Sequence, residues 1–286
     1  MDPTSARRAA AWLITLCSAA ALGVATTGTA AAQGVGPTFA AAADATITPG
    51  ALMVTQVDRR TTASCTADFV FRSTTTIYLG FAAHCAGADE SMGHSGCDEP
   101  TLPLGTPVAI TGTDGEQSRG TLAYSSWHAM QEQRETDESL CMYNDLALVA
   151  LDTATIARVN PSMPLLGGPV GLAATGPTPG EAVYSYQPNN GGDGLRRGEA
   201  VADAGGGLTH RVQTEPPGGP GDSGGGYLDA DGRAFGVLST QFFDGPHTNG
   251  VTDLAAALSY ADRFGALGTV TLVPGTEPFE AGARST

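Results

Sequence analysis

Lysine is absent from this 286-residue chain, and its 14 basic side chains, all arginine, face 29 acids for a net charge of −15. That balance excludes the basic face that would neutralise a phosphate backbone, and nucleic acid with it. Charged residues make only 15% of the chain against 41% hydrophobic, which excludes a disordered protein. No repeat of fixed period is present, which removes solenoids and propellers. Long apolar runs are also scarce. The main one, Ala9 through Ala25, is rich in Ala, Gly and Thr, follows Arg7 and Arg8, and leads to Ala30-Ala31-Ala32 before Gln33. It reads as a signal peptide over residues 1–32, so a secreted, extracellular protein with no stable membrane association after cleavage is expected.

Cysteine is sparse as well. Of five, Cys17 lies in the leader, and Cys65, Cys85, Cys97 and Cys141 remain. An even count in an exported chain points to two disulfides, with three connectivities open. A competing reading takes His84-Cys85 and His94-x-x-Cys97 as metal ligands. Oxidising export conditions favour sulfur–sulfur bonds, so no metal and no cofactor are expected.

What is abundant is glycine, 39 residues, with 18 prolines between short apolar runs. Strand-like examples are 69–71, 76–81, 107–110, 146–151, 182–186 and 234–238, a spacing that suggests a sandwich or barrel. The stretch Asn160 to Gly180 holds five prolines and five glycines and divides these strands into two sets. Only Asp253 to Phe264 reads as a helix, with Asp253 as N-cap and Gly265 past its end. Asp229-Ala230-Asp231-Gly232 contains D-x-D-G but lacks the distal Glu of a calcium loop, and reads as a hairpin turn.

The strongest chemical signal is Gly219-Pro220-Gly221-Asp222-Ser223-Gly224-Gly225. A serine hydroxyl becomes a nucleophile only when a base takes its proton and backbone N–H groups stabilise the oxyanion, and glycines let N–H groups approach a carbonyl closely. Upstream stand Phe81-Ala82-Ala83-His84-Cys85 and Tyr143-Asn144-Asp145-Leu146-Ala147-Leu148-Val149. Asp137 and Asp152 compete with Asp145, but Asp145 alone directly precedes an apolar run. His94, His128, His210 and His247 read as ordinary histidines, though His210 is near enough to Ser223 in sequence to line a pocket.

With these three motifs in the order His, Asp, Ser, the sequence resembles the chymotrypsin-like (trypsin-fold) serine proteases, particularly secreted bacterial members, over roughly Ile47 to Phe264. The resemblance implies an all-β fold of two packed six-stranded antiparallel Greek-key barrels with a C-terminal helix. It implies a short propeptide or N-terminal arm over 33–46, a first barrel over 47–165, a linker over 166–180, a second barrel and helix over 181–265, and a tail over 266–286; the polar, glycine-bearing segment from Gly275 to Thr286 reads as loosely held. It implies an endopeptidase in which His84 is the base, Asp145 its orienting acid and Ser223 the nucleophile, with the Gly221 and Ser223 N–H groups as oxyanion hole. Ser239 matches the serine that supports the acid, and Ser239, Thr240 and Gln241 match the strand that binds the substrate backbone. Pro217 stands where trypsin-like members carry a pocket Asp, so Arg or Lys specificity is not expected and small or apolar residues are favoured. The resemblance also implies a Cys65–Cys85 disulfide, which leaves Cys97 to Cys141. Ile47-Thr48-Pro49-Gly50 only loosely resembles the new N-terminus that pairs with the Asp before the serine in this family, here Asp222. Protein or peptide substrates and a monomer are expected; a non-catalytic binding module or zymogen-like homologue on the same fold is the alternative.

Overall fold

In a computed structural model of the chain, residues 38–88, 95–191, 193–243 and 247–282 are described, so the expected signal peptide and His94 lie outside the described residues. The first part of the chain forms β1 Leu52–Gln56, β2 Thr62–Thr66, β3 Val70–Arg72, β4 Ile77–Phe81, β5 Pro107–Thr111, β6 Gln117–Ser125 and β7 Ala147–Leu151. They pair in the order β3-β4-β7-β6-β5-β1-β2, all antiparallel. The sheet begins and ends on one piece of chain, because β2 runs into β3 through Ala67-Asp68-Phe69. Backbone pairing changes partner within that bend: Ala67 N–H donates to Ala51 O, and Asp68 N–H donates to Gly80 O. One bent segment therefore borders both ends of the sheet and closes it, which leaves few free edges.

The interior of this barrel is aromatic and aliphatic, with Phe69, Phe71, Leu79, Phe81, Ile110, Leu122 and Leu148 fully buried. Each such side chain contributes about 1.5–3 kcal/mol on burial. β4 and β7 are apolar runs without alternation because they lie at the centre, covered on both faces.

Between β6 and β7 the chain makes two helices that the sequence reading did not anticipate, α1 Ser126–Gln133 and α2 Glu138–Tyr143, and a third, α3 Thr153–Ile156, follows β7. Ser125, Asp137 and Asp152 cap them through their side-chain oxygens. At eight residues or fewer none spans enough turns to display a helical period, so capping and tertiary contact, not pattern, make them. Both expected disulfides are formed, Cys65–Cys85 and Cys97–Cys141. The second ties α2 to the segment that begins at Ser95.

The second set is a closed six-stranded barrel of β8 Ala182–Tyr186, β9 Leu195–Ala204, β10 Thr209–Glu215, β11 Gly226–Leu228, β12 Ala234–Phe242 and β13 Thr248–Asp253, ordered β10-β13-β12-β11-β8-β9. The D-x-D-G segment joins β11 to β12 as a turn, with Asp229 Oδ1 accepting the Asp231 and Arg233 N–H groups. α4 Leu254–Phe264 follows, capped by Asp253 and ended at Gly265, as its sequence indicates. The all-β architecture of two barrels with a C-terminal helix is thus the fold of this chain. The last residues depart from the expected loose tail. β14 Thr271–Leu272 adds to β3, Gly275 and Glu280 donate to Pro169 and Leu166, and the Phe279 ring packs edge-on to Tyr184 at 5.6 Å. Apolar side chains at 272, 273 and 279 find neighbours there, so the chain is held as far as Glu280.

The second barrel has a small apolar interior, chiefly Val183, Val212, Tyr227, Phe235, Leu238 and Val251, and it also encloses charge. His210 is buried with Nδ1 2.8 Å from Asp203 Oδ1 and Nε2 2.9 Å from Asp253 Oδ2. Two carboxylate acceptors require both ring nitrogens to carry protons. Burial lowers the affinity of His210 for its second proton, but the hydrogen bonds and charges of Asp253 and Asp203 outweigh that and raise it. A pKa raised by folding adds stability that is complete below the unfolded histidine value, about 6.5, and is lost as pH rises through the folded value. His210→Gln should therefore lower the melting temperature most at about pH 6 and progressively less toward about pH 9. Parallel thermal melts of both proteins across that range measure this.

Candidate active site

His84 stands in a 3-10 turn, Ala83–Ala86, directly after β4, and the Cys65–Cys85 bond ties that turn to β2. Its Nδ1 lies 2.7 Å from Asp145 Oδ2, and its backbone N–H donates to Asp145 Oδ1 at 2.8 Å. Ser239 Oγ, from β12, donates to the same Oδ2 at 2.6 Å. One carboxylate therefore binds two elements of the first barrel to a strand of the second. Its backbone is fixed from both sides: Ser126 Oγ donates to Asn144 O and accepts from Leu146 N–H, and Thr252 Oγ1 donates to Tyr143 O.

The electrostatics follow from this arrangement. The Asp145 side chain is 4% exposed and that of His84 18%. Burial alone would raise the Asp145 pKa, but the His84 charge and hydrogen bond, the Ser239 hydroxyl and the His84 N–H hold it below the ordinary carboxylate value. For His84, burial lowers the pKa, and the adjacent Asp145 charge and hydrogen bond prevail and raise it.

Ser223 sits in a turn between β10 and β11. Asp222 N–H donates to Gly219 O and Gly225 N–H to Asp222 O, while Gly224 N–H and Leu238 N–H pair the turn to β12. Ser223 O accepts from Thr66 N–H, and Thr66 Oγ1 donates to Gly221 O, so the first barrel also grips the turn. Gly224 has φ +89°, and a Cβ there would lie 2.4 Å from Thr66 O, so both backbone shape and close approach demand glycine. Gly221 shares the left-handed region, at φ +94°. Among the described residues the Ser223 hydroxyl and the N–H groups of Gly221 and Ser223 have no hydrogen-bond partner. A hydroxyl and two N–H donors are thus left free for a ligand.

His84, Asp145, Ser223, Gly221, Ser239, Thr240 and Gln241 line one cleft of about 480 Å3 between the two barrels. Trp127 of α1, Met142 of α2 and Phe243 beyond β12 add apolar wall, Phe243 with 74% of its surface exposed. Pro217 is not in that wall, a departure from its expected place among the substrate-binding residues. Asn249 holds both the N–H and the C=O of Gly218, and this brings Gly218 to the cleft surface one residue later in the chain. His210 is away from the cleft, and Glu215 is exposed on β10. Cys65, His84 and Cys85 lie together, but the sulfurs are joined to each other and the imidazole is bound to Asp145, so this group has no thiolate to offer a metal.

Two partners were not legible in sequence. Ile47 N–H donates to Arg158 O, away from Asp222. Asp222, fully buried, instead faces the buried Arg196 of β9 at 3.6 Å and accepts from Gly219 N–H and Asn190. Burial raises the Asp222 pKa despite the lowering by the Gly219 N–H and by Arg196. Nothing in Leu195-Arg196-Arg197-Gly198 marks which arginine turns inward; the pleat of β9 decides it.

No protein-family model and no curated protein matches the chain. Among solved structures it is similar to Protease A of Thermobifida fusca, at 19% identity over 80% of this chain and 100% of that one, TM-score 0.45. It is similar to Cellulomonas bogoriensis chymotrypsin at 18% identity over 79% and 99% of the two chains, TM-score 0.41. It is also similar to the serine endoprotease from Yersinia pestis at 17% identity over 76% of this chain, spanning 62% of that protein, TM-score 0.46. All three are proteases by name. What the cleft can do follows from its own atoms.

Removing the cation beside a buried carboxylate leaves that charge uncompensated. Arg196→Met should destabilise the protein by about 3 kcal/mol, and adding Asp222→Asn should restore much of the loss. Denaturant titration of the two variants beside the parent reads both effects.

Proposed function

We propose that this protein is a secreted serine endopeptidase that hydrolyses peptide bonds by a Ser223–His84–Asp145 triad through an acyl-enzyme. The observation that supports it most is the single Asp145 carboxylate bound by His84 Nδ1, His84 N–H and Ser239 Oγ, on a cleft that Ser223 shares. With Nδ1 donating to Asp145, the neutral imidazole carries its lone pair on Nε2, the form a general base needs. His84 takes the Ser223 proton as Oγ bonds to the substrate carbonyl carbon, and the oxyanion is met by the Gly221 and Ser223 N–H groups, each worth about 3 kcal/mol. The imidazolium then protonates the leaving amine as the C–N bond breaks. Water, deprotonated by His84, releases the acid and restores the serine. The β12 segment Ser239–Gln241 offers backbone groups along the cleft for an extended peptide, which favours protein or peptide substrates. Two disulfides suit an oxidising compartment, in keeping with secretion.

Intact mass after fluorophosphonate treatment tests the reading directly. One adduct is expected on the exported protein and none on Ser223→Ala; no adduct on a folded wild type would favour the binding-module alternative. Asp145→Asn should lower kcat by about four orders of magnitude, and triad variants should be far from additive. Because the base must be neutral and its pKa is raised, kcat/KM should increase with pH through a midpoint above that of an ordinary histidine. A pH–rate profile places that midpoint.

A further inference from the structure

The pocket beside Ser223 is crossed by side-chain amides. Its two walls are the segment 218–221 and the strand 239–241, and both meet the cleft. Gln241 Nε2 donates across the gap to Gly218 O. Asn249, paired with Gln241 across β12 and β13, donates to the same oxygen at 3.0 Å and accepts Gly218 N–H at 2.8 Å. Asn249 is fully buried, so both ends of its amide are committed. Leu238 closes the remaining space: a Cβ on Gly218 would lie 2.7 Å from its Cδ2.

We propose that Asn249 and Gln241 clamp Gly218 across this pocket and restrict the residue on the acyl side of the cleaved bond, P1, to one the size of alanine. The proposal rests on the endopeptidase reading and names its substrate class. A larger side chain entering between the walls must displace the Gln241 amide and break its bond to Gly218 O, a cost that small residues avoid. Gly218, Leu238, Asn249 and Gln241 carry no charge, so the clamp has nothing to pair with a P1 Arg, Lys, Asp or Glu.

A peptide library varied at P1 tests this with the exported protein and two variants, Gln241→Gly and Asn249→Ser. Wild type should favour Ala over Leu, Phe and Arg by roughly tenfold or more in kcat/KM, and Gln241→Gly should shift the Leu/Ala ratio upward by roughly tenfold. Asn249→Ser should shift it in the same direction, and fluorophosphonate titration of active sites separates a change of preference from loss of folded enzyme. A wild type that prefers Leu, Phe or Arg, or variants that titrate fully and keep the parental profile, would overturn the clamp while leaving the endopeptidase reading intact. A labelled Ser223 without cleavage of any Ala peptide would overturn the clamp too. Neither labelling nor cleavage would overturn the endopeptidase reading, and the clamp with it.

Discussion

The carboxylate of Asp145 is the point on which the rest of the site depends. It has a handful of acceptor positions, and three are taken by groups from two separated parts of the chain: the ring and the backbone N–H of His84, and the Ser239 hydroxyl. Because it is buried, an unpaired negative charge there would be costly, so each partner is held to the geometry that satisfies it. The same bonds that stabilise the charge orient the imidazole, and they cross from the first barrel to the second.

A second buried carboxylate does for the Ser223 turn what the first does for the His84 ring. Asp222 accepts from Gly219 N–H and faces Arg196, and this holds the turn on which Ser223 is presented. The turn is gripped from outside as well, by Thr66 of the first barrel. The second barrel thus has an interior of unusual character. Few apolar side chains fill it, and charged groups such as Arg196, Asp222 and His210 occupy the remainder with their partners. Buried ion pairs of this kind add little net stability, because the cost of taking both charges out of water offsets their attraction, whereas removing one partner alone is costly.

Local sequence carried a large part of this. The apolar runs at 76–81, 146–151, 182–186 and 234–238 are strands, and Asp253 caps the final helix, because β-rich composition and capping are properties of a few adjacent residues. Strands such as β9, Leu-Arg-Arg-Gly-Glu-Ala-Val-Ala-Asp-Ala, escaped notice because one face is solvated and the pattern is broken by glycine and charge. The helices α1 and α2 escaped for a different reason, being too short to show a period.

The available chemistry is local to the sequence: a serine among glycines, a histidine and an aspartate beside apolar runs, and an even set of cysteines outside the leader. Those are covalent facts, and they do not depend on where the chain goes. Tertiary structure set that Arg196 faces Asp222, that Gly218 and Asn249 replace Pro217 at the pocket, and that His210 is enclosed between two acids. Each of these is a pairing between residues distant in sequence, set by strand register and barrel closure, and register fixes which side chain points inward only once the partners are in place.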